Sequence, residues 1–256
     1  MPKKILYIKP AAYDSLNGEI KAYLEKYKDD DTIVDVVSMP RGPKHLEYMY
    51  YQTMAAQEIL KAIRQGELAG YDAAVIGCFD DPSLEPAREI CERMFVTGPG
   101  ESSMLLAATL GEKFSIIVGR DKCVHPMREN VYKYGFQHKL ASFRSLDLGV
   151  LELHENLNLT HQRMREAIDK AVKEDKAEVI LLGCTMEFGF FEQLQQEFGV
   201  PVIDVMVAAF KYAEYLSGLR QKTNWFTSKI CTYASPDPVE IRFWQIAEDY
   251  GLEGLW

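Results

Sequence analysis

The chain has 256 residues, 47% hydrophobic and 26% charged, the balance of a folded protein that can bury a sizeable core without disulfide or metal staples. Its 38 Asp and Glu against 29 Lys and Arg leave a net charge of −9, so no basic stripe is available to neutralise a row of phosphates, and nucleic acid is not an expected partner. The segment Met1–Lys9 is too poor in apolar residues for a signal sequence and no later run approaches a membrane span, which predicts a cytoplasmic protein with no membrane partner.

Short β-branched runs alternate with stretches of helical period, the pattern of an α/β fold with parallel sheets. Lys4–Lys9 reads as the first strand, and Leu16, Ile20, Tyr23, Leu24 and Tyr27 then recur on one helical face. Thr32–Ser38 is the second strand. A Pro40–Pro43 turn leads into a helical stretch from His45 to Leu68, and Asp72–Cys78 is a buried strand with a cysteine at its C-terminal end. A helix near Pro86–Arg93 follows. Asp81 is placed to cap a helix beginning at Pro82, and the turn Thr97–Ser103 opens a further helix. That turn resembles a phosphate cradle only superficially, lacking the later glycine of a dinucleotide loop and the Lys-Ser/Thr of a P-loop.

Lys113–Val118 starts a second series. Pro126 marks the first turn of a helix that ends at Gly135, His138–Phe143 is strand-like, and Leu157, Met164, Ile168 and Val172 mark a helix face that also carries His161, read as a buried, hydrogen-bonded side chain. Ala177–Cys184 is the next strand, and Val200–Asp204 with a helix from Val205 to Gly218 closes the regular part. No Gly/Ser-rich linker separates the two series, so two lobes should share an interface.

Five cysteines (Cys78, Cys91, Cys123, Cys184 and Cys231) lie far apart with no CxxC pair, and the histidines form no HExxH; free thiols and no metal are expected. Asp72–Cys78 and Glu178–Cys184 share one layout, an acidic residue, an apolar strand and then Gly-Cys, which looks like an internal duplication. One such cysteine is an ordinary core residue; a matched pair at strand C-termini, where ligands of parallel sheets bind, is a functional signal. Each thiol precedes a helix whose N-terminus favours a thiolate. Two opposed thiols can remove a proton from one face of a carbon acid and return one to the other, which inverts the centre without a cofactor. A nucleophilic cysteine with a histidine base is the rival chemistry.

Gly42-Pro43 with Glu47, Asp72–Leu84 with Ala87-Arg-Glu89, Gly98-Pro-Gly-Glu101, Leu-Gly-Cys184, Gly199–Asp204, and Thr227-Ser-Lys229 with Tyr233 together resemble the aspartate/glutamate/hydantoin racemase superfamily, closest to hydantoin and allantoin racemases. The resemblance implies two similar lobes, each a mainly parallel sheet flanked by helices, with the active site in the cleft between them. Residues 1–97 make lobe 1, completed by about 205–234; 98–204 make lobe 2; 235–256 form a C-terminal extension. It also implies that Cys78 and Cys184 are the acid/base pair, that no cofactor is used, and that the protein is a homo-oligomer. The substrate residues expected are Pro10, Phe79, Asp80, Glu101, Arg120, Thr185 and Met186. Thr185 and Met186 supply backbone N–H groups to an anionic intermediate, or pack. Asp80 is left open between substrate contact and structure. Arg120 either meets a substrate carboxylate, or points into solvent or pairs with Asp121.

Two departures stand out. The Asn-Pro-Asn-Thr type loop of relatives reads Lys9-Pro-Ala-Ala-Tyr13, keeping only Pro10, and Cys184 is followed by Thr-Met-Glu-Phe-Gly189 instead of Ala-Gly-Met, a turn closer to amino-acid racemases. The function expected first is racemisation of a 5-substituted hydantoin or allantoin. The alternatives are an Asp/Glu-type racemase, a dicarboxylate isomerase or decarboxylase of the same superfamily, and a non-catalytic small-acid-binding protein. The aromatic tail, with Phe243, Trp244, Tyr250, Leu255 and Trp256, is expected to cover a lobe or grip a neighbouring subunit.

Overall fold

In the computed structural model, which describes residues 2–255, the chain forms two four-stranded parallel sheets. The first series is β1 (Lys3–Lys9), α1 (Asn17–Tyr27), β2 (Thr32–Ser38), α2 (Met49–Leu68), β3 (Ala73–Ile76), α3 (Leu84–Ile90) and β4 (Phe95–Thr97), with strand order β2-β1-β3-β4. The second is α4 (Pro99–Leu110), β5 (Phe114–Val118), α5 (Val124–Lys133), β6 (Leu140–Ser145), α6 (Leu157–Lys173), β7 (Val179–Leu182), α7 (Phe191–Phe198) and β8 (Val202–Asp204), with order β6-β5-β7-β8. The duplication seen around the cysteines therefore extends to the topology. Helix α8 (Val205–Thr223) and the short helices α9 (Pro238–Phe243) and α10 (Ile246–Asp249) complete the chain.

The inner strands are covered on both faces, which is why they read as unbroken apolar runs. Ile5, Tyr7, Ala73 and Val75 belong to a core that continues through Ile117, Leu182, Met206 and Phe210. One hydrophobic core thus crosses from lobe to lobe. The alternate residues Leu6, Ile8, Ala74 and Ile76 meet Ala55, Ile59 and Ile63 of α2. In lobe 2, Ile116, Val118 and Leu181 pack with Met104 and Ala107 of α4 and Met127 and Val131 of α5. Asp204 caps α8, accepting from Met206 N–H at 2.9 Å and Val207 N–H at 3.1 Å, and α8 then returns the chain to β1, β3 and β4 of the first sheet.

Three local expectations change. The helical stretch does not include His45–Glu47: α2 begins at Met49, and Tyr48 before it is extended, with φ −112° and ψ 131°. The strand placed at His138–Phe143 runs Leu140–Ser145 instead, because Lys139 and Leu140 still donate to Phe136 O in the preceding turn. Asp81 does cap a helix, but not its own. Its Oδ1 accepts from Gly100 N–H at 2.9 Å and its Oδ2 from Glu101 N–H at 2.8 Å and Tyr134 O–H at 2.8 Å, whereas α3 starts at Leu84 behind a left-handed Ser83. The Gly98-Pro-Gly100 turn that resembles a phosphate cradle holds this carboxylate of its own chain. A Cβ on Gly98 would strike the carboxylate.

The tail folds over α2. Gln57, Lys61 and Arg64 donate to the carbonyl oxygens of Tyr250, Gly251 and Leu255 at 2.9, 2.7 and 2.6 Å, and Ile241 and Leu255 are buried while Phe243 and Trp244 stay exposed. Trp256 lies outside the described residues. His161 is also unlike its expectation: it packs against Phe190, and its Nε2 has no hydrogen-bond partner.

Replacing Asp81 by alanine leaves two buried N–H groups at the start of α4 and the Tyr134 hydroxyl without their acceptor, and should cost about 2 kcal/mol of stability. Urea denaturation measures this; an unchanged midpoint would remove the cap from the account.

Candidate active site

The two cysteine turns are built alike. β3 ends at Ile76 and β7 at Leu182, and the glycine after each stays on the ladder, Gly77 N–H donating to Ile8 O at 2.8 Å and Gly183 N–H to Ile117 O at 2.7 Å. A Cβ on Gly77 would strike the Tyr7 phenol, and one on Gly183 would meet Ile117 O at 2.5 Å, so these two positions have no room for a side chain. Each cysteine carbonyl accepts from the residue three further on, Asp81 N–H at 3.0 Å and Glu187 N–H at 2.9 Å. Each sulfur receives the N–H two further on: Met186 N–H at 3.4 Å from Cys184 Sγ, and the Asp80 N–H at Cys78.

Both thiols line one cavity of about 80 Å³ between the lobes. Pro10, Phe79, Asp80, Thr185 and Met186 line it with them, so five of the expected substrate residues come together. The Thr185 side chain neither packs passively nor faces the cavity alone: its hydroxyl donates to Gly77 O at 3.0 Å, tying one cysteine turn to the other. Asn130 of α5 donates to Asp80 O at 2.8 Å, a second cross-lobe link, and Phe79 is buried among lobe 2 residues. A larger groove of about 620 Å³ between α4 and α8 contains neither cysteine.

Two expected residues lie elsewhere. Glu101 is not in the cavity; Arg88 Nη1 donates to its Oε1 at 3.0 Å, and this partly buried pair ties α3 to α4. Arg120 meets neither a free cleft nor Asp121. Its Nη2 lies 3.0 Å from Glu152 Oε2 and its Nε 3.8 Å from Glu47 Oε1, so its charge is already matched beside the cavity. The cavity also takes residues that the sequence did not single out as substrate contacts, namely Lys9, Tyr13, His45, Glu47, Gly119 and Cys123. Lys9 had a readable signal, since it ends β1 on the C-terminal edge where ligands of parallel sheets bind. His45 was concealed by the helical period of the stretch that follows, and Glu47 stood out only as part of the family resemblance.

Burial sets the acid–base character of the site. Cys78 and Cys184 are both pushed well above the usual thiol range, first by loss of solvent and then by a neighbouring carboxylate, Asp80 for Cys78 and Glu187 for Cys184. The helix N-termini expected to favour thiolates are too small to offset this: Cys78 precedes a turn and then the seven-residue α3, and Cys184 a three-residue 3₁₀ turn, Thr185–Glu187. Burial also raises Asp80 to about 6, against a hydrogen bond from Gln52 Nε2 at 2.7 Å. Glu187 is fully buried, and desolvation holds it well above the carboxylate range against the Cys184 backbone N–H. All five cysteines are free. Among the described residues no cluster of three or more His, Cys, Asp or Glu side chains is arranged to hold a metal ion, and no helix is long and apolar enough to cross a membrane.

Two repeated parallel-sheet lobes that close on one cleft define the two-lobed α/β racemase fold. The chain belongs to the Asp/Glu/Hydantoin racemase family, whose model matches residues 5–213, and it is therefore an isomerase of the racemase class. It is 38% identical over 229 residues to a hydantoin racemase of Rhizobium meliloti, covering 90% of this chain and 93% of the relative. It is 34% identical over 237 residues to a hydantoin racemase of Pseudomonas sp. (strain NS671), covering 93% of each. The solved structure of an allantoin racemase from Klebsiella pneumoniae superimposes with a TM-score of 0.86 at 32% identity, covering 92% of this chain and 94% of that one.

The Gly183→Ala substitution should destabilise the fold by about 1–3 kcal/mol, because the methyl group must displace backbone, and should lower activity further by turning the Cys184 thiol. Denaturation and turnover of the same preparation test this together. Wild-type values for both would show that the turn has room to spare.

Proposed function

We propose that the protein is a cofactor-independent racemase of a small cyclic ureide, a 5-substituted hydantoin or allantoin, with Cys78 and Cys184 as its two proton-transfer groups. The observation that carries this reading is the pair of like-built turns that bring one thiol from each lobe to the same cavity. One sulfur, as thiolate, takes the proton from C5; the C–H electron pair moves into the adjacent carbonyl to give an enolate; the opposite thiol then protonates C5 on its other face. The products are the inverted ureide and a sulfur pair with its proton exchanged, so the reverse reaction starts from the state the forward one leaves.

The cavity's unsatisfied polar groups suit a ureide. Lys9 Nζ lacks a hydrogen-bond acceptor, and Glu47 Oε1 and Asp80 Oδ1 lack donors. A ureide ring offers both N–H donors and carbonyl acceptors to such a set. The relatives' activities point the same way.

Serine at either Cys78 or Cys184 should lower racemisation by about 100-fold or more, the usual worth of a positioned acid or base. Each variant should retain exchange of the C5 proton with deuterium oxide from only one enantiomer, and the two variants should prefer opposite enantiomers. Equal racemisation by wild type and a folded serine variant would reject the pair. The pH dependence follows from burial. Because both thiols hold their protons above the usual range, the thiolate fraction is small at neutral pH and grows as pH rises. The blank-corrected rate should rise with pH through neutrality as thiolate forms; a rate already level below pH of about 7 would mean that the acting base is not a buried thiol.

A further inference from the structure

Lys9 is the last residue of β1 and is 5% exposed. Its ammonium reaches no hydrogen-bond acceptor and rests 3.4 Å above the centre of the Tyr13 ring. Both residues line the cavity that holds the two cysteines. The nearby acids do not neutralise it: Asp80 is bound by Gln52, and Glu47 lies beside His45 and Arg120. Burial pulls the Lys9 pKa down to about 8, with the charge of Asp14 resisting, so the group is mainly cationic at neutral pH. A desolvated ammonium with no acceptor is costly to keep, and the cost is recovered when negative charge arrives in the cavity. The corresponding strand end of lobe 2 is the apolar Val118, followed by Gly119 in the cavity lining, so no second charge stands there.

We propose that Lys9 is a further catalytic residue, whose ammonium meets the oxygen on which negative charge gathers when the ureide loses its C5 proton. The assignment rests on the reading that the substrate is a neutral cyclic ureide, in which case the enolate is the anion that Lys9 awaits. Electrostatic groups aimed at developing charge act on the reaction step more than on ground-state binding. The enolate is common to both directions of inversion, so Lys9 should serve both enantiomers equally, unlike either thiol.

The test compares wild type with Lys9→Met and Lys9→Arg, with Lys9→Gln as a second neutral variant should the methionine form melt early. C5 deuterium exchange is followed from each enantiomer of a 5-substituted hydantoin, and barbiturate, a planar cyclic ureide that is anionic at neutral pH, is titrated by calorimetry. The neutral variants should lose at least about tenfold in kcat from both enantiomers by similar factors, with KM little changed, and at least about tenfold in barbiturate affinity, while arginine restores much of both. Wild-type exchange and wild-type barbiturate affinity in a folded neutral variant would overturn the assignment, as would a loss confined to one enantiomer. If wild type turned over no hydantoin but bound barbiturate in a Lys9-dependent way, the substrate reading would fall and the anion-binding role of Lys9 would stand. Turnover of hydantoin that ignored the Lys9 substitutions would have the reverse meaning.

Discussion

The hydrogen bond from the Thr185 hydroxyl to Gly77 O, 3.0 Å long and buried, joins the residue after one site cysteine to the residue before the other. The rest of the site depends on that short connection. A proton-transfer pair must hold one carbon between its members to within a fraction of an ångström, and residues on separate lobes would not do so if the lobes swung freely. Here the latch is backed by Asn130 on Asp80 O, by Phe79 buried among lobe 2 side chains, and by a core that runs from Ile5 and Tyr7 through Ile117 to Phe210. Opening the cleft widely would expose that core to water, so the lobes behave as one packed body around a fixed pair of turns.

The same burial that fixes the thiols also makes them reluctant to ionise. Against it the site sets one backbone N–H on each sulfur. In water these would be weak effects; in a desolvated cleft they count for more, because little solvent screens them. On the proposed mechanism, catalysis rests on a few oriented groups in a dry space. Cys123 shows the contrast. It lines the same cavity and burial pushes it up to about 11, but it ends the short turn that leads into α5 instead of a strand-end Gly-Cys turn.

Much of the fold could be read from the chain because its signals are local. The strands before Cys78 and Cys184 are apolar runs with turn residues at fixed places, and the Gly-Cys repeat marks both halves of a duplicated topology. What escaped the sequence depends on partners far along the chain. Glu101 looks like a cleft residue until Arg88 is seen beside it, and Arg120 looks free until Glu47 and Glu152 close on it. Asp81 sits where it should cap the next helix, but α4 captures it from a later turn. His45 was masked because apolar periodicity in α2 carries on smoothly upstream of its real start at Met49. Lys9 was in plain view at a strand end; only the structure shows that no carboxylate reaches it.

The proposed mechanism requires two different groups to act on opposite faces of one carbon. The most direct measurement is the position of isotope at early times when one enantiomer of a 5-substituted hydantoin is converted by wild-type enzyme in deuterium oxide. With two thiols, the proton removed on one face stays on the sulfur that took it, and the new bond comes from the other, solvent-equilibrated sulfur. The inverted product should therefore carry deuterium at C5 from the outset, while recovered starting enantiomer remains protiated. Deuterium appearing equally fast in both enantiomers would mean that a single group serves both faces, and would contradict the two-thiol site.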